Sequence, residues 1–91
     1  MTIVLSALDH VGIAVEDLDA AVELYRRVLG SEPLMRERVE SQGAEEVLFR
    51  VGSTLVQLVA SLGPDTPIGR FLLKRGPGLH HVGYRVDDLV A

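Results

Sequence analysis

The chain contains no cysteine, and only 4% of its residues are aromatic. The absence of cysteine excludes disulfide bonds and cysteine nucleophiles, and it suits the reducing cytosol. No segment is apolar over the length of a membrane span, and the N-terminal MTIVLSAL lacks the basic start and long apolar run of a signal peptide. We therefore expect a cytoplasmic protein that does not associate with membranes.

The chain also lacks an excess of positive charge. Nine Lys and Arg residues stand against thirteen Asp and Glu residues, which gives a net charge of -4. This balance, with no basic run, argues against a nucleic-acid partner. The glycine-rich GPG at residues 76–78 lacks the spacing of a phosphate-binding loop, and no serine lies in a nucleophile elbow.

The composition is that of a small globular domain. Hydrophobic residues make up 47% and charged residues 24% of the 91 residues. A chain of this length buries a modest share of its surface, and such chains often gain stability by oligomerising.

The most informative feature is an internal repeat. Residues 8–18 read LDHVGIAVEDL and residues 79–89 read LHHVGYRVDDL, with seven identities in the eleven aligned positions. Unrelated windows of this composition should share about one identity. Such similarity predicts two copies of one structural unit.

Hydrophobic periodicity and turn signals predict the elements between the two copies. We expect a helix between an N-cap at Asp17 and Gly30, and a short linking helix from an N-cap at Thr66 to Gly76. By the repeat, Asp88 should cap a second long helix beginning near Leu89. Strands are predicted at residues 5–15, 32–40, 44–51, 54–60 and 79–86.

This order predicts an α+β fold. Residues 1–61 form a βαβββ module, residues 62–77 a linking loop and helix, and residues 78–91 the start of a second βαβββ module. A complete second module would need a helix and three further strands, so we expect the chain to be a fragment or an incomplete representation of a longer protein.

The two histidines shared by the copies are candidate metal ligands. His10 lies on the strand face opposite the apolar Val11, Ile13 and Val15, and His81 is its repeat equivalent. A single strand histidine is usually packed or hydrogen-bonded, but a repeated pair favours metal binding, since imidazole is a common ligand. His80 has the opposite parity, so we expect it to point toward the helix side as a structural or surface residue.

Several other polar residues have an open assignment. Gln57 lies mid-strand in LVQLV, where its amide is either solvated or a metal ligand. By parity only one of Glu45 and Glu46 can share the face of the histidines, and such glutamates are usually solvated. Arg85 is either exposed or a charge partner for an anionic substrate.

The repeat DHVGIAVEDL/HHVGYRVDDL and the βαβββ order resemble the vicinal oxygen chelate superfamily, which includes glyoxalase I, extradiol dioxygenases and bleomycin resistance proteins. SQG at 41–43, LVQLVASLGPDTPIGRFL at 55–72 and GPGLHHVGYRVDDL at 76–89 are most similar to its methylmalonyl-CoA epimerase family. The resemblance implies that His10, Gln57 and His81 are metal ligands, with a fourth ligand, a glutamate, beyond Ala91. It also implies that Glu46 is catalytic, as in some bacterial-type members.

The resemblance implies a homodimeric isomerase that uses a divalent ion (Co, Mn, Ni or Zn) and an acyl-CoA substrate. Its reaction would interconvert the (R) and (S) forms of methylmalonyl-CoA by proton transfer at C2 through a metal-stabilised enolate. Residues 1–91 alone would then be weakly active or inactive.

Two alternatives stay open. One is another enzyme of the superfamily, such as a glyoxalase I-like lyase or a dioxygenase. Gln57 argues against the dioxygenase ligand set of two His and one Glu, and the linking helix favours the epimerase. The other is a metal-free binding or resistance module, which would have no need of His10, Gln57 and His81.

Overall fold

The computed structural model describes residues 2–89, with side chains from residue 5 to residue 86. It contains five strands, two α-helices and a short 3-10 helix. The strands are β1 (Thr2–Ala14), β2 (Met35–Val39), β3 (Ala44–Val51), β4 (Thr54–Ser61) and β5 (Gly78–Leu89); the α-helices are α1 (Leu18–Leu29) and α2 (Pro67–Arg75), and the 3-10 helix is Glu40–Gln42.

The strands form one sheet in the order β2-β3-β4-β1-β5. Strand β1 pairs with β4 in parallel, and the other neighbouring pairs are antiparallel. The repeated segments therefore lie side by side, because β5 pairs with β1 along nearly its whole length. This mixed sheet with two helices confirms the predicted α+β class. The assignment of residues 78–91 to a second module, and the boundaries at 61/62 and 77/78, stay predictions.

The helix ends follow the predicted capping residues. The Asp17 side chain accepts a hydrogen bond from the Ala20 amide, and Gly30 ends α1 with a left-handed φ of 65°. The Thr66 side chain accepts one from the Gly69 amide, and Pro67 follows at the first turn of α2. These local signals mark where the two helices begin and end.

The two faces of the sheet are covered by different helices. Helix α1 packs on one face, here called the helix face, whose buried core includes Val47, Phe49 and Leu58. Helix α2 packs at the other face, here called the cleft face, where Ile68 joins Ala44 and Val59 in a smaller cluster. Ile13 and Val15 pack against this core, which confirms that they lie on the face opposite His10.

Two predictions about the secondary structure are wrong. Strand β2 begins at Met35 and ends at Val39, and the 3-10 helix takes up the end of the predicted strand. Asp88 is a strand residue rather than a helix N-cap. Strand β1 begins at Thr2 and pairs with β5 as far as Leu89, so Asp88 lies opposite Ile3 in the ladder. A helix beyond this point would lie outside the described residues.

Candidate active site

Four adjacent strands each place one candidate residue on the cleft face. Ladder partners share a face, and the register pairs Gly12 with both Gln57 and His81. By strand alternation His10 shares the face of Gly12, and Glu46 shares that of its partner Val59. The order across the sheet is Glu46 on β3, Gln57 on β4, His10 on β1 and His81 on β5.

The two repeated histidines lie next to each other. Their ring centroids are 5.2 Å apart, and the planes meet at 73°. Each ring lies over the glycine of the other strand. A Cβ atom added at Gly12 would lie less than 3.0 Å from three atoms of the His81 ring, and one added at Gly83 would crowd the His10 ring in the same way. The repeated His-Val-Gly therefore supplies both the rings and the space they occupy.

His10 contacts Asp9, and the ion pair between Asp9 and Arg85 links β1 to β5. Its Nδ1 lies 3.0 Å from Asp9 Oδ2, and the other oxygen of Asp9 accepts from Arg85 Nε at 3.0 Å. The hydrogen bond to His10 and then that to Arg85 hold the pKa of Asp9 below its usual range. Arg85 also donates to the Ser53 carbonyl. The sequence left two roles open for Arg85, an exposed residue or a charge partner for an anionic substrate. The structure supports the first, since Arg85 is half exposed and pairs with Asp9.

His80 lies at the cleft and not on the helix face, so its predicted orientation is wrong. Its Nδ1 is 2.8 Å from the Nδ1 of His81, and its ring meets Phe71 of α2 edge to face at 4.7 Å. The cause is a β-bulge: His81 pairs with Gly12 and Leu79 with Ile13, which leaves His80 as an extra residue. A bulge interrupts strict alternation, so neighbouring side chains can share a side.

The environment of His81 favours its neutral form. Burial lowers the pKa of His81 below 6.5, and the nearby His80 and His10 lower it further. A neutral imidazole is the form that binds metals.

Gln57 and Glu46 form a second pair. The Gln57 Nε2 donates to Glu46 Oε2, although the two residues lie on different strands and are not direct ladder partners. With the amide nitrogen engaged in this way, the Gln57 carbonyl oxygen is the atom left for a ligand. Glu45 instead binds Arg36, so the parity argument that only one of the two glutamates shares the cleft face is confirmed.

The cleft face opens into a cleft of about 580 Å³. The N-terminal end of α2, with Thr66, Pro67 and Ile68, and the 3-10 helix also line it. Glu46, Gln57, His80 and His81 line the cleft, and His10 lies beside it against His81. The cleft has the size of a small-molecule site and combines apolar surface with a few convergent polar groups.

The donors fit a divalent ion in part. Imidazole nitrogens bind such ions at about 2.0–2.1 Å, so two rings 5.2 Å apart can both reach one ion. Imidazole with an amide oxygen suits borderline ions such as zinc or cobalt. Among the side chains that the structure describes, those of residues 5–86, no three His, Cys, Asp or Glu side chains form a metal group by themselves. The metal roles of His10, Gln57 and His81 stay a prediction.

Sequence reasoning missed the contacts made by Asp9 and His80. Both are extra residues in bulges, and both precede a candidate ligand. The repeat held a signal for this, because the two residues occupy the same position in the aligned copies. Strict alternation was assumed for His80, and the bulge breaks it.

No helix within the described part of the chain has the length and apolar character needed to cross a membrane.

Comparison with known proteins extends these observations. Residues 9–91 match the Glyoxalase/Bleomycin resistance protein/Dioxygenase superfamily. An ethylmalonyl-CoA/methylmalonyl-CoA epimerase of Cereibacter sphaeroides is 38% identical over 85 residues, which cover 92% of this chain and 63% of the relative.

Two solved structures share the fold with a TM-score of 0.82. One is methylmalonyl-CoA epimerase from Mycobacterium tuberculosis, at 44% identity over 93% of this chain and 58% of that one. The other is a methylmalonyl-CoA epimerase in complex with methylmalonyl-CoA and NH4+, at 37% identity over 89% of this chain and 60% of that one. The chain thus spans less than two thirds of the length of these relatives. It belongs to the glyoxalase/bleomycin resistance protein/dioxygenase superfamily.

Proposed function

We propose that this chain forms part of a metal-dependent epimerase that interconverts the (R) and (S) forms of methylmalonyl-CoA. The observation that carries the proposal is the convergence on one cleft face of a carboxylate, an amide and two imidazoles from four adjacent strands. Relatives named for this activity, one of them with methylmalonyl-CoA bound, support the substrate class.

In this proposal His10, His81 and the carbonyl oxygen of Gln57 hold a divalent ion (Co, Mn, Ni or Zn). When bound, the ion would supply positive charge near the thioester oxygen, where negative charge develops as the C2 proton leaves. His81 is suited to this role because its surroundings favour the neutral imidazole.

Glu46 is the proposed general base. Its carboxylate lines the cleft, and the Gln57 amide holds one of its oxygens in place. A positioned carboxylate within reach of the C2 proton can remove it and return it to the same face. Inversion also requires an acid on the opposite face of C2, and the family resemblance assigns that role to a glutamate beyond Ala91.

The location and the other partners are part of the same proposal. We propose a homodimeric, cytoplasmic protein that acts on a small acyl-CoA and on neither nucleic acid nor membranes. The net charge of -4 argues against a nucleic-acid partner, and the absence of cysteine suits the cytoplasm. The homodimer and the acyl-CoA substrate rest on the family resemblance.

Deuterium exchange at C2 tests the proposal directly. The full-length protein, and residues 1–91 separately, are loaded with Co²⁺ and incubated with (S)-methylmalonyl-CoA in heavy water. Deuterium should enter C2, and the (R) isomer should form, faster than in the protein-free control. Residues 1–91 alone should give weak exchange or none. Full-length protein that binds Co²⁺ but exchanges no faster than the control would contradict the epimerase assignment.

The same experiment separates the alternatives. A lyase or dioxygenase of the superfamily would bind the metal without catalysing exchange at C2. A metal-free binding module would take up no stoichiometric Co²⁺, and its affinity for an acyl-CoA would be unchanged by a chelator.

A further inference from the structure

Each of the two repeated histidines has one ring nitrogen already engaged. The Nδ1 of His10 contacts Asp9, and the Nδ1 of His81 contacts His80, at 3.0 and 2.8 Å. In both cases the partner is the preceding residue in the chain. The Nε2 atom of each ring is the one left for a ligand.

Contact between consecutive strand residues requires a break in alternation, and both copies have one. In β1 the partner of Leu8 is Tyr84 and that of His10 is Gly83, so Asp9 is an extra residue. In β5 the extra residue is His80. A β-bulge re-aims the side chains around it. Each copy of the repeat has such a bulge immediately before its histidine.

Each bulge residue is itself held in place. Arg85 on β5 donates to the second oxygen of Asp9 at 3.0 Å, and this pair fixes the carboxylate across the two strands. Phe71 on α2 packs edge to face against the His80 ring at 4.7 Å. The two positions are thus equivalent in the repeat but are supported by different neighbours.

We propose that Asp9 and His80 are positioning residues that fix His10 and His81 as Nδ1–H tautomers and leave both Nε2 lone pairs free for a divalent cation. The inference rests on the proposed function, because it concerns the same two imidazoles. An ionised carboxylate only accepts hydrogen bonds, so Asp9 requires the hydrogen on His10 Nδ1. The contact between the two histidines needs one hydrogen between their Nδ1 atoms, and the proposal places it on His81, with the His80 Nδ1 as acceptor. Partners of this kind set the tautomer and orientation of metal-binding histidines.

The tautomers can be measured without metal. In ¹⁵N-labelled, metal-free protein above pH 7, long-range ¹H–¹⁵N correlations report which nitrogen of each ring carries the hydrogen. We expect protonated Nδ1 and bare Nε2 in His10 and His81, and the reverse in His80. Wild-type spectra with the hydrogen on Nε2 of His10 or His81 would overturn the inference, whether or not the protein is an epimerase.

Variants connect the tautomers to metal affinity. Asp9→Ala removes the acceptor from His10, and His80→Phe removes the acceptor from His81 while keeping an aromatic ring against Phe71. Each variant should give a tautomer mixture in the affected histidine only. Each should also weaken Co²⁺ binding by roughly 10- to 100-fold, the usual effect of losing such a partner. Calorimetric titration with Co²⁺ measures the affinity.

Ser6→Ala is the matched control. Ser6 is the extra residue of a third bulge, between Leu5 and Ala7, and its hydroxyl donates to the Arg85 carbonyl rather than to an imidazole. This variant should keep both tautomers and the Co²⁺ affinity of the wild type. Wild-type Co²⁺ affinity in folded Asp9→Ala and His80→Phe would refute the positioning role. Expected tautomers and affinities without deuterium exchange at C2 would support this inference while contradicting the proposed function.

Discussion

The imidazole of His81 fills the space that a Cβ atom would occupy at Gly12. The same relationship holds between His10 and Gly83, so each copy of the repeat receives the ring of the other. The repeated glycine is therefore explained by a close approach of a side chain and not by a turn. This reciprocal packing connects the internal repeat to the candidate metal site.

Gly12→Ala should displace the His81 ring and weaken Co²⁺ binding by at least 10-fold. The added Cβ would lie less than 3.0 Å from the ring, which must move. The far end of a side chain can rotate away, so we expect a smaller effect on the free energy of unfolding than on affinity. Gly63→Ala is the control, since a Cβ there meets nothing within 4 Å. Equal Co²⁺ affinities in both variants would show that the His81 ring position is irrelevant to binding.

Glu46→Gln should lower the rate of deuterium exchange at C2 by about 10²- to 10⁴-fold, the contribution of a positioned general base. Metal binding should persist, because Glu46 is not a proposed ligand. Exchange is followed by mass spectrometry in the full-length, Co²⁺-loaded protein. The neighbouring Glu45→Gln is the matched control, since Glu45 binds Arg36. Undiminished exchange in Glu46→Gln would assign the base to another residue.

Phe49→Ala should lower the free energy of unfolding by about 3–5 kcal/mol, the usual cost of deleting a buried aromatic ring. Phe49 is fully buried in the core beneath α1. Urea titration measures the loss. Leu73→Ala is the comparison, because Leu73 is 85% exposed and such changes usually stay within about 0.5 kcal/mol. Similar losses in the two variants would contradict the assigned core.

The metal-free protein should lose stability as the pH falls below 6.5, in part because of His81. The pKa of His81 is lower in the folded chain than its ordinary value of 6.5. The unfolded chain then binds a proton at a higher pH than the folded chain does, so the contribution of His81 declines from pH 6.5 down to its folded pKa.

Urea unfolding in the presence of a chelator, at about pH 8 and about pH 5.5, measures this dependence on histidine protonation. His81→Gln should lose less stability between the two values than the wild type does. An equal or larger loss in the variant would show that His81 does not contribute.

The sequence determined the features that depend on contacts between residues close together in the chain. Asp17 and Thr66 cap their helices because a side-chain oxygen needs only an amide three residues away. Alternation placed Ile13 and Val15 on one face of the sheet and both repeated histidines on the opposite face. The repeat pointed to His10 and His81 as a pair, and the structure places them 5.2 Å apart.

Only the tertiary structure decided where alternation fails. The bulges at Asp9 and His80 arise from the pairing of β1 with β5, segments about seventy residues apart in the chain. The contacts of Arg85 with Asp9 and of Gln57 with Glu46 likewise join different strands. A two-residue periodicity carries no information about such long-range register. The sequence by itself therefore determined that His10 and His81 meet, and the pairing of distant strands decided that Asp9 and His80 contact the Nδ1 atoms of these two rings.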